Sequence, residues 1–298
     1  MALRKLFCLG LVASAAAHSN RKSLNFGPRH ASPHYVTEPQ LVDIYPTSDP
    51  YDVARTFISA HTDSSYFIRP DSYTDRNTGI THVYARQLVN GLEVSNGDIN
   101  LNIRKGYVHS YGDSFFRGNI SLASKSAPIV SLETLCADFS TDNLMSGNQQ
   151  TRFGDSPTVF EELFQGDCVG PLAALREVAR LNPQPHSIDD PRWAALYFMI
   201  AAHPDPIQVN RFVQNFSSIL RGMSLTPNTS LGGSVIFVNN VPGSVSPVKA
   251  RMMYIHSPGW DDETELNLAW RLEVEMAHNW YEAYVALDEP SKIISAID

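Results

Sequence analysis

Asn90-Gly91 stands between two runs of alternating apolar residues, and no other feature of this 298-residue chain constrains its fold as tightly. Asn-Gly is the strongest short hairpin signal, because a type I′ turn needs positive φ at both central residues. With that turn fixed, Val89 pairs with Leu92 and Gln87 with Val94. Val83, Ala85, Val89, Leu92 and Val94 then share one face. Gln87 is the polar exception on it. As a buried residue it reads as a satisfied amide pinning the hairpin to its helix, and the alternative is direct contact with a partner. Ile99, Leu101 and Ile103 alternate with Asn100, Asn102 and Arg104, and a Lys105-Gly106 turn brings Val108 opposite Ile103. Upstream, Asp49 is placed as N-cap and Pro50 as first residue of a short helix. Val53, Ala54, Phe57 and Ile58 form its apolar stripe. Residues 49–118 therefore predict one helix and an antiparallel meander.

The C-terminal part repeats the pattern. Leu266, Leu268, Trp270, Leu272, Val274 and Met276 alternate with Asn267, Ala269, Arg271, Glu273, Glu275 and Ala277, as a strand does. A two-residue turn at His278-Asn279 pairs Met276 with Tyr281, Val274 with Ala283 and Leu272 with Val285. It also sets Glu275 opposite Glu282, which requires a solvated face. Trp270 then points to the core. Trp280 lies on the outer face with Tyr284, either as an exposed interface pair or under the helices of 170–220. Pro290-Ser291 turns the chain into a final strand, Lys292 to Ile297.

Between the two sheets, apolar clusters recur at helical spacing: Leu132, Leu135 and Phe139; Leu172, Leu175, Val178 and Ala179; Trp193, Leu196, Tyr197 and Ile200; Val209, Phe212, Val213 and Phe216. Several short helices are expected, with a mobile loop at 140–157. Residues 18–48 are rich in Pro, Ser and His without a hydrophobic period and read as an extended arm.

Arg4 and Lys5, the apolar run from Leu6 to Ala16 and the Ala15-Ala16-Ala17 cleavage site predict a secretory signal peptide over residues 1–17. The run is too short to span a bilayer, and no other stretch is long enough, so a secreted product with no membrane contact is expected. The formal charge of −8, or −10 without Arg4 and Lys5, argues against nucleic acid or anionic membranes as partners. Cys8 departs with the signal. Cys136 and Cys168 then form one disulfide or remain two buried thiols. Asn119, Asn215 and Asn228 open glycosylation sequons.

Ten histidines are present and none precedes a Glu, so the chain has no H-E-x-x-H. That motif sets two imidazoles one helical turn apart around a general base on zinc. His30 and His34 are four apart, but Pro33 blocks a helix and no third ligand is near. Asp261-Asp262-Glu263 reads as a solvated turn, and Ser246-Pro-Val-Lys249 as a chance S-x-x-K. No catalytic residue, metal ligand or cofactor is assigned within the chain.

His82, Tyr84, Gln87, Asn90-Gly91, Val94 and the alternating strand from Asp98 to Ile103 resemble the fungalysin/thermolysin propeptide (FTP) motif. Pro247 to Ala250, Leu268-Ala-Trp270, Asn279-Trp280-Tyr281 and Ile293 to Asp298 resemble the end of the prosegment of fungalysin, peptidase family M36. Ala195 to Pro204 is also similar to prosegments of that family. The resemblance implies an α+β architecture: two antiparallel-sheet-plus-helix (cystatin/PepSY-like) halves with a helical insertion between them. The expected units are the arm at 18–48, an FTP-like domain at 49–124, the insertion at 125–230 and a C-terminal sheet at 231–298, with helices from 171–222 packed on that sheet. It also implies a secreted propeptide that inhibits a thermolysin-like zinc protease domain, in cis or in trans, and assists its folding. Zinc would belong to that catalytic domain, beyond this chain. The alternative is a free-standing secreted binding or inhibitor module of the same fold.

Overall fold

The computed structural model describes residues 22–28, 34–42, 49–118, 131–133, 136–137, 168–182, 187–228, 235–258 and 264–298. The expected signal peptide, the loop at 140–157, His30, Asn119 and Asp261 to Glu263 lie outside the described residues.

The first sheet is built around the predicted hairpin. Strand β5 (Thr81–Val89) turns at Asn90-Gly91 into β6 (Leu92–Arg104), which turns at Lys105-Gly106 into β7 (Tyr107–Asp113). Both turns carry two consecutive positive φ angles, 50° and 80° at Asn90 and Gly91, then 52° and 78° at Lys105 and Gly106. Short strands β3 (Tyr66–Ile68) and β4 (Tyr73–Thr74) pair with β5. Helix α1 (Pro50–His61) begins where Asp49 accepts a hydrogen bond from the Tyr51 amide, 2.8 Å away. Its buried residues Val53, Ala54, Phe57 and Ile58 pack on Val83, Ala85, Leu101, Ile103 and Val108. Burying a side chain of that size stabilises by about 1.5–3 kcal/mol.

In the second sheet, β8 (Ser224–Asn228), β9 (Val235–Asn239), β10 (Val248–Pro258), β11 (Thr264–Glu275), β12 (Trp280–Ala286) and β13 (Ile293–Ile297) lie side by side, all antiparallel. Residues 224–228, inside the span read as helical insertion, are thus a strand. Four helices cover one face: α2 (Gly170–Leu181), α3 (Pro191–Ala202), α4 (Pro206–Gln214) and α5 (Phe216–Gly222). Helix α3 is the centre of this half, buried at every position from Ala194 to Ala202, as its all-round apolar sequence requires. Phe198 meets the Tyr281 ring edge-on at 5.5 Å. Cys136 and Cys168 are joined in a disulfide with Cα atoms 5.6 Å apart, buried in the same core.

Two registers differ from expectation. The β11–β12 pairing sets Val274 against Tyr281, Leu272 against Ala283 and Trp270 against Val285, two residues away from the predicted partners. The connecting loop is four residues, closed by the Met276 amide on the Asn279 carbonyl at 2.8 Å. A shift of two preserves the faces, which is why the burial pattern in the sequence did not expose the error. Glu282 consequently faces Glu273 rather than Glu275. In the first hairpin Val89 meets Leu92, but Gln87 does not pair with Val94. Leu88 faces Glu93 and Arg86 faces Asp98, so residues 94–97 bulge out opposite Gln87 alone. The face predicted as continuous is therefore split. Val83 and Ala85 belong to the core under α1, while Val89, Leu92 and Val94 join Tyr254 and Phe116 in a separate cluster.

The arm holds regular structure. Phe26 forms a two-bond bridge with Ala296 on β13, and Leu24 and Phe26 are buried in the second core. Strands β1 (His34–Val36) and β2 (Gln40–Leu41) pair with β7 on the first sheet.

Candidate functional site

The bulge at 94–97 positions everything that follows. Its outward swing brings Val94 beside Tyr254 in a parallel bridge, the link between β6 and β10. Gly97 is required there, since a Cβ would stand 2.9 Å from Gln87 Oε1 and 3.0 Å from Val94 Cβ. Gln87 fills the space behind the bulge, 1% exposed. Its Nε2 donates to the Phe116 carbonyl at 2.8 Å and to Ser64 Oγ at 3.1 Å, and its Oε1 accepts from the Phe116 amide at 2.7 Å. The amide is satisfied, but it pins the hairpin to the chain at 64 and 116 rather than to the helix itself.

Beyond the bulge, residues of both sheets line a cleft of about 1170 Å³. One wall is a ladder of alternating charges. Asp71 pairs with Arg69 at 2.6 Å, Arg69 with Asp98 at 3.6 Å, Asp98 with Arg86 at 2.7 Å, Arg86 with Glu93 at 3.6 Å, and Glu93 with Arg251 on the second sheet. Burial opposes the charge on Arg69, but its two acidic neighbours outweigh it and raise its pKa. On the other wall Arg271 pairs with Glu282, and behind it Arg271 meets Glu273 at 2.7 Å, which Lys249 reaches at 3.1 Å. Glu273 titrates low: burial pushes it up, but Lys249 and Arg271 pull harder. Arg271 is likewise held charged against burial by Glu282. Arg69, Arg86, Arg251 and Arg271 are balanced by Asp71, Glu93, Asp189 and Glu282, so the lining has no net sign.

Tyr284 closes the far end. It is 4% exposed, in a small cluster with Ile255, Ala269, Ala286 and Ile294. Its hydroxyl bonds Ser95 of the bulge and donates to Glu282 at 2.8 Å. Burial, helped by Glu282, pushes it up to about 12. The expected exposed Trp280–Tyr284 pair is therefore absent: Trp280 alone is exposed, at 48%. The helices do not cover that face either, since they pack on the side of Trp270.

The other singled-out residues fall into two groups. His82 and Tyr84 lie on the outer face of β5. His82 Nδ1 bonds Asn102 Oδ1 at 2.7 Å with its ring stacked on Tyr73 at 4.9 Å, and Tyr84 carries Arg69 at 5.8 Å. Asn279 and Tyr281 hold the arm, both bonding the Lys22 carbonyl. Asn215 caps α4 through the Arg211 carbonyl at 2.9 Å, and Asn228 ends β8. Sequence reasoning missed Arg86, Glu93, Ser95, Asn96, Arg251 and Arg271. Their only signal was charge and polarity clustered beside a hairpin whose register hid the bulge. Among the described residues no three of His, Cys, Asp or Glu gather as metal ligands, and no helix is long and apolar enough to cross a membrane.

Residues 67–115, which hold the hairpin and its bulge, match the family model of the Fungalysin/Thermolysin Propeptide Motif. Most of the chain is similar to proteins named extracellular metalloproteinases. It is 22% identical over 264 residues to extracellular metalloproteinase 9 of Coccidioides posadasii, covering 88% of this chain and 30% of that protein. It is 23% identical to extracellular metalloproteinase MEP of Leptosphaeria maculans, covering 88% and 29%. It is 26% identical over 247 residues to extracellular metalloproteinase mep of Aspergillus flavus, covering 83% and 26%. The chain thus carries an FTP motif and is homologous, over most of its own length, to a quarter to a third of these metalloproteinases.

Proposed function

We propose that this chain is the secreted propeptide region of a fungalysin-like zinc metalloendopeptidase, and that it binds the thermolysin-like catalytic domain, holds it inactive and assists its folding. One observation carries the reading: the match spans 83–88% of this chain but only 26–30% of each protease, with the FTP motif inside it. The physics is ordinary. A folded partner that binds only the native catalytic domain stabilises it by mass action, and one seated at the cleft excludes substrate. Zinc chemistry belongs to the catalytic domain. The sequence offers no H-E-x-x-H, so no metal-assisted step is assigned to these residues.

The test is titration of purified residues 18–298 into the activated C. posadasii metalloproteinase. Dose-dependent loss of proteolysis below micromolar concentration, and faster recovery of unfolded protease in its presence, are expected. Unchanged proteolysis and refolding at micromolar concentration would overturn the reading.

A further inference from the structure

Of the three sequons, Asn215-Phe216-Ser217 is the one that lies wholly within the described residues. Its middle residue faces inward. Phe216 is 2% exposed, with its ring centred 5.3 Å from those of both Trp193 and Tyr197. Anchoring that ring in the core turns its neighbours outward, and Asn215 and Ser217 are both exposed.

Asn215 stands at the break between α4 and α5, with φ −110° and ψ 16°. Its main chain serves both helices. The amide donates to the Arg211 carbonyl at 3.0 Å, and the carbonyl accepts from the Ser218 and Ile219 amides, each at 2.9 Å. Its side chain donates from Nδ2 to the same Arg211 carbonyl at 2.9 Å. An Asn amide nitrogen carries two hydrogens, and attachment of a sugar replaces one of them. The other can still reach Arg211, so the cap between the helices survives the modification. Ser217 Oγ donates to Asn182 Oδ1 at 2.8 Å, which ties this break to the end of α2. Neither Asn182, Arg211, Asn215 nor Ser217 lines the cleft.

We propose that Asn215 carries an N-linked glycan, attached on the helical layer and outside the cleft. The donor is a lipid-pyrophosphate-linked oligosaccharide, met during export. Asn215 Nδ2 bonds to C1 of its first N-acetylglucosamine, the lipid pyrophosphate leaves, and one amide proton is lost. Transfer takes place on the extended chain before it folds. The fold then accepts the product, because the Nδ2 edge opens to solvent while Phe216 alone is drawn inside. A bulky, hydrated sugar there keeps the helical face in water.

The full chain, exported from yeast behind a yeast secretion leader and recovered from medium and cells, tests this. Enzymatic removal of N-glycans in heavy-oxygen water turns a glycosylated Asn into an isotope-labelled Asp. Peptide mapping should find the label at residue 215, and find none there without the glycosidase. Ser217→Ala destroys the sequon but leaves Asn215 in place, and it should abolish the label at 215. The parent measurement needs no variant, so misfolding of Ser217→Ala leaves the test standing. An unmodified Asn215 in the parent chain overturns the proposal, even if Asn119 or Asn228 is labelled.

Discussion

Gln87 and Phe116 exchange two hydrogen bonds, side-chain amide to main chain, at 2.8 and 2.7 Å. The side chain thereby does for residue 116 what a neighbouring strand would do. It seals the hole that the bulge opens in the hairpin.

Gln87→Ala leaves the Phe116 amide and carbonyl buried without partners. Each such group costs about 1–3 kcal/mol. A loss of about 3 kcal/mol in urea denaturation is expected. Gln87→Glu retains the acceptor but loses the donor and buries a charge, and it should be no milder.

Glu93 joins the two sheets through Arg251 and also faces Arg86, and its side chain is only 14% exposed. Glu93→Ala strands the Arg251 guanidinium and leaves Arg86 to Asp98 alone, and a cost of about 2–4 kcal/mol follows. The double variant Glu93→Ala with Arg251→Met should recover part of it in a double-mutant cycle. Strict additivity would show that the pair does not couple the sheets.

Glu273 gives the acid limb a defined sign. Its folded pKa lies below its ordinary value of 4.5, so its contribution is present above that pH and is lost as pH falls through the folded value. Stability measured between pH 7 and pH 3 should fall less steeply below about pH 4.5 in Glu273→Gln than in the parent chain.

Reduction of Cys136–Cys168, which closes a loop of sequence separation 32, should lower stability by roughly 3–4 kcal/mol in the loop-entropy account. Cys136→Ser should match the reduced parent in thermal denaturation and be insensitive to reductant.

Much of this fold was legible because its signals are local. Asn90-Gly91 and Lys105-Gly106 demand positive φ, Asp49-Pro50 demands a helix start, and the alternation from Leu266 to Val274 demands a strand. What escaped is what alternation cannot encode. A two-residue slip between β11 and β12 leaves every side chain on its expected face, so only the closing hydrogen bond from Met276 to Asn279 distinguishes the registers. The bulge at 94–97 depends on Gln87 finding Phe116, a contact between distant residues. Tyr284 is buried because Ser95 meets it across 189 residues. The cleft inherits both of these long-range events, so its charged walls could not be assembled from the sequence. The arm at 18–48 has no period because its pairs are supplied by β7 and β13 rather than by its own neighbours.

The arm's bridge has a consequence for biosynthesis. Phe26 leaves the ribosome early, but Ser295, which donates to its carbonyl, is made 269 residues later. Throughout translation Leu24 and Phe26 must wait, unburied, for a strand that does not yet exist, and contacts of such long separation close slowly. A chaperone holding that early segment would therefore govern when the second half locks shut.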